Sequence, residues 1–357
     1  MAKNIKQTVL VLFGTRPEAI KLAPVVNELR VNNELRVVVG VTGQHREMID
    51  QVMADFDISP DFDLDVMKHN QGLEELTVKL IEGIHNILND CKPDMIVVQG
   101  DTTTAFCGAL CGAYQRIKIA HIEAGLRSGN KQSPFPEEIN RILISNMADL
   151  HFSPTELAKE NLIAEGITEN VHVVGNTVVD AFMNISDAIS KDEKKYADAF
   201  QFSRKLNKFI LVTGHRRESF GSGFESICHA LKEIAQSDDE LDIVYPVHLN
   251  PNVQEPVNRI LGKIDNIHLI KPVSYPNLVW LLKQCYLVLT DSGGIQEEAP
   301  SVGKPVLVMR DVTERMEGVI AGTSLLVGSN CQKIVRETIR LLDDRNAYHK
   351  MSKQSNP

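Results

Sequence analysis

The sequence predicts an α/β protein of two Rossmann-like domains, each a parallel sheet wound with helices. Three observations carry that prediction. Short β-branched runs alternate with helix-length segments, the rhythm of a doubly wound parallel sheet. The alternation pauses over a polar, lysine-rich helical stretch at 177–206 (Lys191, Lys194, Lys195) and then restarts. A chain of 357 residues, 43% hydrophobic and 24% charged, is too long for one ordinary core and suits two.

In the first half the runs at 8–13, 36–41, 95–99, 118–122, 150–153 and 171–174 read as strands, with helices between them. The boundary falls near Gly175-Asn176, giving domains over 1–175 and 176–357. In the second half the strands are expected at 209–213, 242–247, 267–270, 286–290, 305–309 and 324–327. Two such domains imply a cleft. Neither an internal repeat nor a low-complexity tract interrupts them.

The net charge of −9 argues against a nucleic-acid surface, so an anionic ligand would have to be met by a local cluster of Arg, Lys and His. The apolar run 9–13 is too short for a signal-peptide core, and no stretch approaches the roughly 20 apolar residues of a membrane span. A cytoplasmic protein is expected, with no membrane partner. Six cysteines include no CxxC pair, and Cys107 with Cys111 at i, i+4 reads as one buried helix face. No metal site is indicated.

Ligands of open parallel sheets bind outside the carboxyl ends of the strands, and there this chain is unusually polar. The first strand ends in Gly14-Thr15-Arg16-Pro17-Glu18, with Lys21 one turn into the next helix and Pro17 suited to its first turn. The third ends in Gly100-Asp101-Thr102-Thr103-Thr104 and the fourth in His121-Ile122-Glu123-Ala124-Gly125-Leu126-Arg127. Glu137 follows in the Pro-rich loop Ser133-Pro134-Phe135-Pro136. Taken singly, Asp101, Glu123 and Glu137 read as helix caps or first-turn acids. Three of them at one sheet edge fit acid/base chemistry better, because crowded carboxylates raise one another's pKa toward neutrality.

In the second half, Gly214-His215-Arg216-Arg217-Glu218-Ser219 follows the first strand and places imidazole and guanidinium where a diphosphate would sit. His248 stands one strand along and reads equally as a structural histidine. The run Asp291-Ser292-Gly293-Gly294-Ile295-Gln296-Glu297-Glu298-Ala299-Pro300 is a glycine turn opening a helix. Alone, Ser-Gly-Gly is an ordinary cap. Beside the other motifs it reads as a phosphate grip by Ser292 and backbone N–H groups, with Glu298 one turn on to accept from a ribose. Absences narrow the class: no G-x-G-x-x-G, no Walker A lysine, no G-x-S-x-G and no H-E-x-x-H.

Together these blocks resemble, over nearly the whole chain, the non-hydrolysing UDP-N-acetylglucosamine 2-epimerases of bacteria. The resemblance implies the two-domain GT-B fold, a homodimer, and interconversion of UDP-N-acetylglucosamine and UDP-N-acetylmannosamine without NAD or an obligatory metal. It implies a mechanism in which the C2 proton is removed and UDP expelled to give 2-acetamidoglucal, after which UDP adds back and a proton reaches the opposite face of C2. Acid/base roles carry over to Asp101, Glu123 and Glu137, and leaving-group stabilisation to His215. Arg16, Ser292 with Gly293 and Gly294, and Glu298 correspond to UDP-binding positions, while Lys21 and Arg127 are expected near the sugar or diphosphate.

The same resemblance implies a second, activating UDP-N-acetylglucosamine near Gln44, Gln71, Glu138, Arg217 and His248, where Glu47 and His69 depart from a donor-rich lining. Two further departures stand out. The family's Thr-Glu-Arg-Pro-Glu is Thr313-Glu314-Arg315-Met316-Glu317 here, which frees the backbone at 316. The sequence ends at Ser355-Asn356-Pro357, where relatives continue through a Gly-rich turn into a last helix packed on the first domain. The competing readings are a hydrolysing 2-epimerase releasing UDP and N-acetylmannosamine, a GT-B glycosyltransferase, and a catalytically silent UDP-sugar sensor.

Overall fold

The computed structural model describes residues 6–43, 46–66, 71–200, 206, 208–216, 219–313 and 315–354, the side chains of 46–48 excepted. The chain divides into two compact units, Met1–Ala181 and Phe182–Pro357.

The first unit holds seven parallel strands: β1 (Gln7–Phe13), β2 (Leu35–Val41), β3 (Phe62–Asp63), β4 (Met95–Gln99), β5 (Lys118–Ile122), β6 (Leu150–Ser153) and β7 (Val171–Val173), in the order β3-β2-β1-β4-β5-β6-β7. Its helices are α1 (Arg16–Val31), α2 (Arg46–Asp55), α3 (Leu73–Cys91), α4 (Thr103–Gln115), α5 (Glu137–Met147) and α6 (Glu156–Ala164). Helix α7 (Thr177–Lys191) carries the division between the units, and α8 (Glu193–Ala199) follows it. The strand β3 was not expected. Its two residues follow Ser59-Pro60-Asp61, which reads as loop, and they pair only through Gly40↔Phe62 and Val41↔Asp63.

The second unit holds six parallel strands: β8 (Lys208–Thr213), β9 (Leu241–Pro246), β10 (Ile267–Ile270), β11 (Leu287–Thr290), β12 (Val306–Val308) and β13 (Ser324–Leu326), in the order β10-β9-β8-β11-β12-β13. Its helices are α9 (Ser222–Ser237), α10 (Pro251–Leu261), α11 (Tyr275–Gln284), α12 (Gly293–Glu298), α13 (Met316–Ala321), α14 (Cys331–Asp343) and α15 (Arg345–Ser352), with a 3-10 turn over Ala299–Val302.

Central strands buried on both faces need continuous apolar sequence rather than alternation. Accordingly Thr8 through Phe13 of β1 and all of β11 are buried. The first core joins Leu10, Leu12 and Val98 to Ile84 and Ile87 of α3 and to Cys107 and Cys111 of α4. The second joins Ile210, Val212, Tyr245 and Leu289 to Phe224, Ile227 and Leu231 of α9. Fully burying each large apolar side chain is worth roughly 1.5–3 kcal/mol. Burial pushes the Cys107 thiol up to about 12, as suits a packing residue.

Close packing of α4 on the sheet depends on two glycines. A Cβ at Gly108 would come within 2.7 Å of Leu12 Cδ2, and one at Gly112 within 2.9 Å of Ile96 Cδ1. That approach brings the start of α4, with Thr102, Thr103 and Thr104, to the carboxyl edge of β1 and β4. Among the described residues no helix is long and apolar enough to cross a membrane.

Candidate active site

Both sheets reverse strand order at their first strand, between β1 and β4 and between β8 and β11. A crevice at such a switch point is where open α/β sheets take ligands. The motifs after these four strands are Gly14-Thr15-Arg16, Gly100-Asp101-Thr102, Gly214-His215-Arg216 and Asp291-Ser292-Gly293.

In the first unit Thr15 caps α1, and its backbone N–H and hydroxyl both donate to Glu18 Oε2 at 2.8 Å. Gly14 N–H donates to the same oxygen at 3.1 Å, and Thr102, the cap of α4, donates to Oε1 at 2.6 Å. Glu18 thereby ties the loop after β1 to the loop after β4. It is 1% exposed, and burial pushes its carboxyl up to about 7 against the opposing pull of these hydrogen bonds. Above it, Thr42 and Thr104 hydroxyls meet at 2.9 Å, and a Cβ on Gly14 would fall 2.2 Å and 2.3 Å from those two oxygens.

Asp101 and Glu123 end the neighbouring strands β4 and β5, whose last register pair is Gln99↔Ile122. Glu123 takes a left-handed backbone with φ 65°, a costly conformation for a non-glycine residue. Its buried carboxylate pairs with Lys21 Nζ and accepts from Gln99 Nε2 at 2.7 Å. Behind it, His121 Nε2 lies 2.8 Å from Gly100 O. A carbonyl only accepts, so Nε2 carries the proton and the ring is neutral; burial lowers the His121 pKa to about 4. The imidazole therefore pins the residue just before Asp101.

Asp101 is held from α5. Arg141 Nη2 pairs with its carboxylate and Asn140 Nδ2 donates to its carbonyl at 2.8 Å. The same guanidinium reaches Glu138 at 3.0 Å, while Glu138 also accepts from Ser128 and Gly129 N–H at 3.0 Å. Glu137 opens this helix, after cis Ser133-Pro134 and Phe135-Pro136 bonds, and shares the i, i+4 face with Arg141. Carboxylates crowding one another were the expectation from sequence. The structure adds a cation to Asp101 and to Glu123, because Arg141 and Lys21 arrive from α5 and α1.

In the second unit the buried carboxylate of Asp291 joins the two switch-point loops. Its Oδ2 accepts from His215 N–H at 2.7 Å and Arg216 N–H at 2.8 Å. The His215 ring stacks on His248 with centroids 5.0 Å apart and planes 10° from parallel. Ser292 stands at the N-cap of α12, yet its hydroxyl makes no capping bond to that helix. The Arg315 guanidinium packs on the turn, so that a Cβ at Gly293 would lie 2.5 Å from its Nη1, and Arg315 Nε donates to Glu297 at 2.9 Å. Glu298 is 4% exposed and accepts from Tyr275 OH at 3.0 Å.

The remaining expected residues fall variously. Arg16 opens α1, and Gln71 precedes α3. Arg127, expected near the sugar or diphosphate, spends four hydrogen bonds within its own unit: two on Glu165 at 2.7 Å, one on Leu126 O and one on Ser145. Glu138 likewise has its carboxylate taken up by the 128–129 backbone and Arg141. Gln44, Arg217, Glu218, His69, Glu314 and 355–357 lie outside the described residues, as does the Glu47 side chain. Sequence reasoning missed Arg141, Gln99, Glu18, Asp291, Arg315 and Tyr275 as members of the site. Glu18, Gln99, Asp291 and Arg315 carried a signal, being inside motifs already singled out, while Arg141 and Tyr275 carried none.

Comparison with known proteins adds a further set of findings. A family model described as UDP-N-acetylglucosamine 2-epimerase matches residues 27–357. The UDP-N-acetylglucosamine 2-epimerase of Yersinia pestis is 55% identical over 353 residues, 98% of this chain and 94% of that protein. That of Escherichia coli K12 is 54% identical with the same coverage. Among solved structures, the UDP-GlcNAc 2-epimerase of Neisseria meningitidis bound to UDP-GlcNAc gives a TM-score of 0.96 at 47% identity, over 98% of this chain and 95% of that one. The Methanocaldococcus jannaschii enzyme in complex with UDP-GlcNAc and UDP gives 0.86 at 34% identity, over 98% and 95%.

Proposed function

This chain belongs to the UDP-N-acetylglucosamine 2-epimerase family, and from that premise we propose that it interconverts UDP-N-acetylglucosamine and UDP-N-acetylmannosamine by eliminating and re-adding UDP. Its two parallel α/β units are those of the GT-B fold. The observation that carries the reading is the pair Asp101 and Glu123 at the ends of adjacent strands, each held by a buried cation, Arg141 and Lys21 respectively.

Removal of the C2 proton leaves an electron pair that forms the C1=C2 double bond as the C1–O bond breaks and its pair passes to the diphosphate. Return requires a proton for the opposite face of C2, so two acid/base groups are needed. Asp101, Glu123 and Glu137 take those roles in this proposal. Lys21 and Arg141 fix the carboxylates and keep them from drifting toward one another. His215 stabilises the charge arriving on the departing diphosphate. Arg16, Ser292 with Gly293 and Gly294, and Glu298 hold the UDP, with Arg315 the cation packed on the glycine turn and Tyr275 steadying Glu298. Lys21 and Arg127 stand near the sugar or diphosphate in this proposal, Arg127 steadied by Glu165.

A homodimer and a second, activating UDP-N-acetylglucosamine on Gln44, Gln71, Arg217 and His248 belong to the proposal too, with Glu138 anchoring the loop at 128–129. Light scattering on the purified chain and the shape of the rate against substrate concentration test them.

Proton NMR of UDP-N-acetylglucosamine with the protein in D₂O, without added NAD or metal, tests the reaction. UDP-N-acetylmannosamine deuterated at C2 with little free UDP is the expected outcome. Free N-acetylmannosamine with equal UDP would replace it with the hydrolysing reaction, and an unchanged spectrum would overturn it. Asp101→Asn is expected to lower kcat at least about a hundredfold while UDP still binds.

A further inference from the structure

We propose that Asp291 is the positioning residue for His215, holding the imidazole with Nδ1 toward the protein and Nε2 presented to the departing diphosphate. The inference deepens the role given to His215 above and rests on it.

Asp291 is 1% exposed at the end of β11. Its two oxygens do different things. Oδ2 accepts from the backbone N–H groups of His215 and Arg216, which fixes where the His215 main chain stands. Oδ1 is buried and makes no hydrogen bond among the described residues. It lies 3.8 Å from His215 Nδ1, beyond a hydrogen bond but within ion-pair range. A buried carboxylate oxygen is costly to leave without a donor, and His215 Nδ1 stands close enough to supply one. Bonds of this kind are often long in unliganded sites and close in the complex.

The ring is also restrained from the side. His248, whose Nδ1 accepts from Asn250 N–H at 3.1 Å, stacks flat on the His215 ring. The carboxylate at Nδ1 and the stacking partner together leave one useful freedom, the small rotation that closes 3.8 Å to a hydrogen bond. Once Nδ1–H is given to Asp291, Nε2 is the atom left to meet a phosphate oxygen. When the C1–O electron pair passes to the diphosphate, the doubly protonated ring gives a phosphate oxygen its Nε2–H, since the neutral Nδ1–H form has no proton there, and the carboxylate behind Nδ1 offsets the positive charge of the ring. This is how a buried acid serves a histidine in acyl-transfer triads, by setting tautomer and orientation without moving a proton itself.

Asp291→Asn separates the two jobs. The amide oxygen still accepts the two backbone N–H groups, while the amide NH₂ replaces an acceptor with a donor opposite Nδ1. The experiment is a double-mutant cycle of Asp291→Asn and His215→Gln, with kcat for UDP-N-acetylglucosamine and calorimetric UDP affinity measured for each. We expect Asp291→Asn to lower kcat at least about tenfold with UDP affinity within about threefold, and the double variant to be no more than about threefold slower than His215→Gln. Losses that multiply would show Asp291 acting other than through His215 and would overturn the proposal, as would full activity of Asp291→Asn. Full activity of His215→Gln beside a slow Asp291→Asn would instead remove the His215 role beneath it.

A measurement on the unaltered chain covers the case in which Asp291→Asn does not fold. Long-range ¹H–¹⁵N spectra, assigned against His215→Gln, should show neutral His215 protonated on Nδ1. The Nε2–H tautomer would overturn the proposal.

Discussion

Replacing Arg141 by Met removes one guanidinium from between two carboxylates. Arg141 is 4% exposed at its side chain, Glu138 1% and Asp101 21%. Breaking a buried ion pair by deleting one partner costs about 3–5 kcal/mol, because the other charge stays behind. Here the two carboxylates are not equally stranded. Glu138 keeps its donors from Ser128 and Gly129, and Asp101 has water on one side. The lower end, about 3 kcal/mol, is therefore expected. For a unit of this size that is a fall in melting temperature of roughly 6–12 °C. Scanning calorimetry is the assay, since two units need not melt as one transition. Asp101 also loses the group that aims it, so kcat should fall by at least about tenfold. Arg141→Lys, a point charge in place of a fork, should fall between. A melting shift under about 2 °C together with kcat within about twofold would refute the reasoning, because it would mean that the Arg141 bridge bears neither on stability nor on Asp101.

Burial holds the Glu18 carboxyl near 7 instead of its ordinary 4.5, so the folded chain keeps a proton that the unfolded chain has released. Ionising it takes stability away as pH rises from 4.5 to about 7, and Glu18→Gln removes that slope. The variant should gain on the parent between pH 5 and 8 by on the order of 3 kcal/mol, and a difference in melting that does not change with pH would refute the assignment. Gly14→Ala drives a methyl into the Thr42–Thr104 hydrogen bond, which should cost about 1–3 kcal/mol and is checked by chemical denaturation together with KM. Met316 is the first residue of α13, where proline is well tolerated. Met316→Pro should therefore change stability by less than about 1 kcal/mol and leave kcat unchanged; a loss of several kcal/mol would show that the Met316 N–H is bonded.

The strands were legible because a buried parallel sheet needs unbroken apolar runs, and β4, β5, β6 and β10 carry the limits that the sequence predicts. The two-residue β3 was not, since Pro60 and three nearby aspartates outweigh a single Phe. The site divides in the same way. Strand-end residues announce themselves through position, so the placement of Asp101, Glu123, His215 and Ser292 just after their strands was readable. Their partners were not: Lys21 meets Glu123 across 102 positions and Arg141 meets Asp101 across 40. Nothing in the periodicity of α1 or α5 marks which buried cation faces which acid. Arg127, a strand-end cation, likewise meets Glu165 across 38 positions.

The two units solve one electrostatic problem alike. At a switch point, the N–H groups after the first strand point toward the place where a ligand's phosphate would lie. Here a protein carboxylate has taken those N–H groups first. Glu18 accepts from Gly14 and Thr15 in one unit, Asp291 from His215 and Arg216 in the other. Each carboxylate also binds its loop to the next strand of the reversal, through Thr102 in the first unit and through its own place at the end of β11 in the second. With those backbone donors spent on rigidity, a diphosphate held in the second unit as proposed would be met by the Ser292-Gly293-Gly294 turn and by the side chains of His215 and Arg315. Side-chain donors can follow charge as it moves from a glycosidic oxygen to a free diphosphate, which fixed backbone dipoles cannot. A reaction that must release UDP and then take it back at the same carbon is served by loops held rigid in this way beside side chains that can adjust.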